Sequence, residues 1–581
     1  MTWLKLPRKW QPVVGNLVLC GIGLGILIMM GWCLTQMNRP LSQLPTQQQL
    51  DVLGSKNYFT FAQLVEAALR TMTRLFIGML WSLAFSLVFG VMAARYKTAR
   101  YFILPLVNLL ESVPLLGFLT FTTAWFMGWF PNNVLGVEAV AIFGVFTAQA
   151  WNIMLVLYQS LRVTPKELLT VADQFGCNSW QRFWRLEFIY AIPGILWNMV
   201  ISQSAAWFAL VACEQAIVAF PRTETLILPG IGSYIQIALD RSKFGAVAAA
   251  LGALLVCVLF TNVCLFQPLI KGTVHYKYST GTDNQLPPQS RVYDLVSHAK
   301  SPKWLHQWGH QVSTWWLLSL PQIWENLRLP QFMQWLHKLW LKLWLTLWYF
   351  SLGCAMVGLI GFLATYLKWL NWQTLIWWTL LTTGRVLAAV VLSALIFIPL
   401  AVWVASNPRR LNRIQPWGQV IGSIPADVYV PVVALLIVAT GTTHQWWVIP
   451  LIMTGTQWYF FFNVIAGYLA IPADIQEVTQ VFHLKGWRWW TRFLFPSLFP
   501  YLITAIINAA GAAWNADIAA ELITWGTKQF SVAGLGAYIA GNTDNKPAEA
   551  TGVLIICGLV GICVIFIWQP LYRFAERRFH Y

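Results

Sequence analysis

The feature that most constrains this chain is a duplication: two stretches about 307 residues apart carry the same pattern. The first runs from Thr164-Pro165-Lys166-Glu167 through Gly176-Cys177-Asn178-Ser179-Trp180 to Pro193. The second runs from Ile471-Pro472-Ala473-Asp474 through His483-Leu484-Lys485-Gly486-Trp487 to Pro500. The register continues on both sides with slips of a few residues. Upstream, Arg74 pairs with Arg385 and Ser112-Val113-Pro114 with Ser423-Ile424-Pro425. Downstream, Trp207 pairs with Trp514, Glu214 with Glu521, and Gly230, Gly232 and Tyr234 with Gly534, Gly536 and Tyr538. Single Trp matches are cheap in a chain with 35 of them, but an ordered series of rare residues is not. The chain is one folding unit written twice.

That unit belongs in a bilayer. Hydrophobic residues make up 58% of the chain and charged residues 10%, against about 25% charged in soluble domains. Apolar runs near the roughly 20 residues needed to cross the hydrocarbon recur at 13–35, 75–95, 102–130, 135–158, 191–217 and 245–268. A second set lies at 341–366, 380–406, 415–440, 446–468, 499–525 and 550–568. An all-α membrane protein of about twelve helices is expected, six per half. The first run is longer than a signal-peptide core and lacks a small-residue cleavage site, so it is expected to be retained.

Six is even, so the two halves enter the membrane the same way round, as parallel repeats with a pathway between them. The expected divisions are a first repeat at 1–270, a linker at 271–340 and a second repeat at 341–581. Lys and Arg concentrate before the first run, after the second, in the repeated loops and at Arg573, Arg577 and Arg578. By the positive-inside bias, both termini and both repeated loops are cytoplasmic. The net charge of +17 is then topology, and no basic soluble domain exists to bind nucleic acid. In the linker, Trp304, Leu305, Trp308, Val312, Trp315 and Trp316 recur at helical spacing, which predicts amphipathic helices on the membrane surface or packed on the protein.

Nine Cys and eight His show no disulfide or metal-finger spacing, so neither a metal nor a cofactor is expected. There is no Gly-x4-Gly-Lys-Ser/Thr phosphate loop and no Gly-Lys dipeptide at all. Any nucleotide-driven work must come from another polypeptide, and no nucleophile–base pair suggests an enzyme.

The loops at 159–190 and 469–498 are the best-specified segments. Each opens on a Pro suited to a helix N1 position and an acid suited to its first turn (Glu167, Asp474). Each breaks near Gly176 or His483 and re-enters the membrane through aromatic and basic residues. The pattern resembles the "EAA" loop of permease subunits in bacterial ATP-binding-cassette importers, roughly Glu-Ala-Ala-x3-Gly-x9-Ile-x-Leu-Pro. The first copy reads Thr170-Val171-Ala172, Gly176, Leu186 and Phe188-Ile189; the second reads Glu477-Val478-Thr479, His483, Phe493 and Phe495-Pro496. Further stretches are similar to the duplicated permease of nitrate/taurine-type anion importers: Gly455-Thr456-Gln457-Trp458-Tyr459, Phe462-Asn463-Val464 and Ala512-Ala513-Trp514-Asn515-Ala516-Asp517.

The resemblance implies a type I ABC importer fold in the bacterial inner membrane and a small anion as solute. It also implies two ATPase subunits docking on the two loops, and a periplasmic or lipid-anchored solute-binding protein. Glu167, Ala172, Gly176, Cys177, Trp180, Glu477, His483, Leu484, Lys485 and Trp487 are the candidate coupling residues. Alternatives are a fused permease for ferric iron, thiamine or polyamines, and an ion-gradient-driven transporter.

Counting about 1.5 Å per residue from Pro193 and Pro500 gives the candidate solute pathway: Ser202, Gln203, Trp207, Asn508, Trp514, Asn515 and Asp517. An intramembrane carboxylate is costly; Asp517 either contacts solute or makes a structural hydrogen bond. Glu214 and Glu521 are candidates for a rim or gate, with Arg74 and Arg385 as partners. The carboxylates sit awkwardly with an anionic solute.

Overall fold

The computed structural model describes residues 59–112, 115–218, 228–273, 292–294, 372–422, 429–471, 473–525, 528–542 and 545–563, with isolated positions elsewhere. The expected spans at 13–35 and 341–366, and most of the linker, lie outside the described residues. Six described helices are long and apolar enough to cross a bilayer, and a bent pair makes up to seven.

Each half is built on a tight pair of long helices. In the first, α1 (Phe61–Arg95) packs along α4 (Val134–Val163). α1 starts well before the expected 75, because Thr60 caps it, accepting from the Gln63 N–H, and the polar first turns are helical although not apolar. Gly78, Ser82, Ser86 and Gly90 recur every four residues and form one stripe. A Cβ on Gly78 would sit 2.6 Å from Val145 Cβ, and one on Gly90 3.1 Å from Leu157 Cδ2. The Ser82 and Ser86 hydroxyls donate across the seam to the carbonyls of Phe146 (3.2 Å) and Ala150 (3.1 Å). Small residues let backbones approach in lipid, and such interhelical bonds are worth about 0.6 kcal/mol each. The second half keeps the stripe in part on α12 (Trp372–Ala405), with Ala389, Ser393 and Ala401 but Phe397 in place of Ser86; buried Ser393 bonds Thr456 of α15 (Gln445–Ala470) at 2.7 Å.

Between these pillars lie α2 (Lys97–Ser112) and α3 (Leu115–Trp129), and their repeats α13 (Pro408–Gly422) and α14 (Tyr429–Thr440). The expected spans at 102–130 and 415–440 are thus each described as two helices, one ending at Ser112 or Gly422 and the next starting at Leu115 or Tyr429. The expected span at 191–217 is likewise divided. α7 (Phe188–Ile201) and α8 (Gln203–Val218) meet at Ser202 with a 45° bend. Its counterpart α18 (Phe495–Glu521) runs unbroken, but stops short of the expected 525. Leu522–Trp525 is instead strand β1, pairing antiparallel with β2 (Lys528–Ser531), Leu522 opposite Ser531. The β-branched and aromatic residues of Leu-Ile-Thr-Trp suit a strand as well as a span. Two short helices, α9 (Ile231–Asp240) and α19 (Leu535–Gly541), lead into the apolar α10 (Phe244–Phe260) and α20 (Lys546–Cys563).

The halves interleave. α18 packs on α2 and α3, α20 on the same two helices, and α7 on α13 and α15. Trp197 meets Phe462 edge-on with ring centroids 6.2 Å apart.

Candidate functional site: paired loops, buried ion clusters and an interface cavity

The two loops share a backbone turn, and part only further on, where Gly486 takes φ +57° and its partner Ser179 does not. α5 (Lys166–Gln174) ends where Gly176 takes φ +66°, and α16 (Ala473–Val481) where His483 takes φ +48°. The Cys177 N–H donates to the Ala172 carbonyl (3.1 Å) and the Leu484 N–H to the Thr479 carbonyl (3.0 Å), the i+5 closure of a Schellman-type end. A short helix follows in each, α6 (Ser179–Arg182) and α17 (Gly486–Trp489), then a π-turn at matching positions, Phe183–Glu187 and Trp490–Leu494. A left-handed residue suits Gly and costs other residues about 1–2 kcal/mol. His483 holds that conformation without glycine's freedom. Glu167 lies in the first turn of α5 as expected, whereas Pro165 is the residue before the helix and not its first.

What differs is the mortar. The first loop is tied down by ion pairs: Arg95 to Glu187, and Arg182 to both Asp173 and Glu187. The second is tied by Trp489, Trp490, Phe493 and Leu494, packed on Leu411 and Ile414 of α13. Each loop also presents a phenylalanine outward at the same repeat position, Phe175 (81% exposed) and Phe482 (70%), which the sequence argument missed. Of the candidate coupling residues, Ala172 is buried, Trp180 packs on Trp184, and Glu477, His483, Lys485 and Trp487 are exposed.

Of the rim candidates, Arg74, Glu214 and Glu521 are fully buried and Arg385 nearly so. Arg74 Nη1 pairs with Glu214, and its Nε and Nη2 make a fork onto Glu138 of α4. Arg385 pairs with Glu521 in the second copy. A threonine completes each cluster. Thr71 donates to Glu214 and accepts from the Ile231 N–H; Thr382 donates to Glu521 and accepts from the Leu535 N–H. Gly230 and Gly534 lie against the two carboxyl groups, with no room for a side chain. These contacts moor α9 and α19 to the long helices. Asp517 is buried beside Glu521, and neither oxygen has a hydrogen bond among the described residues.

Between the halves lies a cavity of about 100 Å³, walled by α2, α4 and α8 on one side and α15 and α18 on the other. Of the pathway candidates, Asn508 and Asn515 line it, seven residues and hence two turns apart on one face of α18. Ser202, Gln203, Trp207, Trp514 and Asp517 do not. On α8 the cavity-facing positions are Ser204, Ala205, Phe208 and Ala209, so Gln203 and Trp207 turn toward α4, where Gln203 accepts from Gln149. Glu111 is the charged side chain in the lining, and the sequence argument passed it over.

A duplicated helical bundle with matched loops on one side and a cavity between its halves is a permease. Both halves match the model of the binding-protein-dependent transport system inner membrane component family, over residues 86–266 and 396–581, more than half of the chain. The chain belongs to that family. It is 28% identical over 189 residues to the bicarbonate transport system permease protein CmpB of Synechocystis, covering 32% of this chain and 64% of the relative. It is 27% identical over 192 residues to the nitrate import permease protein NrtB of Leptolyngbya laminosa, covering 33% and 65%. A shorter match, 32% over 124 residues, joins it to the ergothioneine transport permease/ergothioneine binding protein EgtU of Helicobacter pylori, covering 21% and 20%. The chain thus spans less than two thirds of these relatives. It is a multi-pass membrane protein of a binding-protein-dependent importer family, related to transport permeases.

Proposed function

We propose that the chain is the fused membrane component of an ATP-driven importer, with both termini cytoplasmic and a solute path between its halves. Two separate ATPase subunits dock on the loops at 159–190 and 469–498, and a solute-binding protein delivers cargo from the other side. The observation that carries this is the pair of loops: the same left-handed turn, the same i+5 closure and the same outward phenylalanine recur about 307 residues apart. An exposed aromatic on a rigid helix–turn–helix is suited to filling a pocket in a partner. The family's relatives support importer chemistry, and ATP binding falls to the partners because the chain has no phosphate loop.

For the solute, nitrate and bicarbonate in the relatives' names support a small anion. A second reading, a fused permease for a cationic solute such as ferric iron, thiamine or a polyamine, is favoured by Glu111, an acid in a cavity with no basic residue among its described lining.

The test is ATP-dependent uptake and ATPase co-purification with the full chain, against the double variant Phe175→Asp with Phe482→Asp. Both substitutions fall on exposed positions, so folding should persist while co-purification is lost. Undiminished uptake by the double variant refutes docking through these loops.

A further inference from the structure

The interface cavity has a chemistry of its own. Its lining includes Glu111 on α2, the rings of Trp151 on α4, Phe208 on α8 and Tyr459 on α15, and the carboxamides of Asn508 and Asn515 on α18. No Lys, Arg or His lies among the described lining residues. Among the described residues Glu111 has no ion-pair partner, whereas Glu138, Glu214 and Glu521 are met by Arg74 or Arg385. A carboxylate kept inside a membrane protein without a cation is expensive, and such residues characteristically face a wet cavity or a ligand. The side chains of Trp151, Phe208 and Tyr459 line the same space, and an aromatic ring in contact with a desolvated cation is worth about 2 kcal/mol or more. An anion would meet a carboxylate and three aromatic side chains, with only amides and hydroxyls to receive it.

We infer that this cavity receives a small organic ammonium group, with Glu111 as its counter-charge and Trp151, Phe208 and Tyr459 as its aromatic wall. Asn508, on the cavity-facing side of α18, supplies a donor for an oxygen elsewhere on the same solute, so a zwitterion fits as well as a simple cation. The volume, about 100 Å³, is below the ~150 Å³ of an engineered cavity that admits benzene, which limits the bound group to a few heavy atoms. The proposal rests on the importer reading only in treating the cavity as facing the solute path.

The test uses the full chain in lipid nanodiscs with radiolabelled methylammonium and nitrate as probes. Methylammonium should bind saturably, and Glu111→Gln should weaken it about tenfold or more, as expected for losing a charged partner. Glu111→Asp, which keeps the charge, should retain most of the binding, and matched gel-filtration profiles establish that both variants fold. Nitrate binding should be unmoved or improved by Glu111→Gln. Absence of methylammonium binding, or methylammonium binding indifferent to Glu111→Gln, overturns the inference. Nitrate binding without methylammonium binding sinks it too, yet leaves the importer reading intact; that reading is judged separately by the loop variants.

Discussion

Replacing Arg74 by Met isolates the energetics of the buried clusters. Arg74 is fully buried and makes three charge-assisted contacts, two to Glu138 (2.5 and 2.8 Å) and one to Glu214 (2.5 Å). Both acids are buried as well, at 1% and 0% side-chain exposure. Removing the guanidinium leaves two carboxyl groups that no water reaches, and breaking a buried pair from one side costs about 3–5 kcal/mol. Arg385 provides the internal comparison. It reaches one carboxylate, Glu521, and the Ala533 carbonyl, and is 11% exposed. Its loss should cost roughly 1.5–3 kcal/mol, the range for one charge-assisted hydrogen bond. Thermal unfolding of the full chain in nanodiscs should therefore rank wild type above Arg385→Met, and that above Arg74→Met. Adding Glu138→Gln and Glu214→Gln to Arg74→Met should recover much of the loss, because the uncompensated charges disappear with the acids. A single variant as stable as wild type, or no recovery in the triple variant, refutes the argument.

Gly78→Leu should separate α1 from α4, since even a Cβ there would lie 2.6 Å from Val145; a loss of at least 1–3 kcal/mol is expected from overpacking, whereas Gly252→Leu, with open space around it, should leave the melting temperature unchanged. His483→Gly should stabilise the second loop by about 1 kcal/mol, because it places glycine at φ +48°; the reverse change, Gly176→His, should destabilise the first by a similar amount, and slower or faster proteolysis of each loop reads out both. Thr382→Val removes a hydroxyl that links Glu521 to the Leu535 N–H and should cost about 1–3 kcal/mol, with hydrogen exchange rising first in α19.

Much of this architecture was legible because the chain states it twice. Arg74 and Glu214, and Arg385 and Glu521, were paired from the register alone, since a charge that recurs at one place in two apolar helices has few partners to choose from. The thresholds of the loops were legible for the same reason. Glu111 was not, because its repeat position is Gly422 and so it carries no echo. Glu138 escaped likewise: α15, the counterpart of its helix, contains no acid. The cavity-facing side of α8 and α18 was illegible for a different cause. In helices apolar all round, sequence gives depth along the axis but little about rotation around it, and so Trp207 and Asp517, chosen by depth, are not among the residues that line the cavity. The hairpin after Glu521 was hidden because Leu-Ile-Thr-Trp serves a strand and a span equally.

The unequal fastening of the two loops makes the molecule a lopsided machine. Salt bridges whose arginines are 25–28% exposed add to the rings on one side, while indole and phenyl rings hold the other. Raising ionic strength shortens electrostatic reach from about 10 Å at 0.1 M to about 3 Å at 1 M, so brine slackens the first fastening and tightens the second. A fused gene can keep such a bias, which a symmetric homodimer cannot: its left and right hands need never be identical.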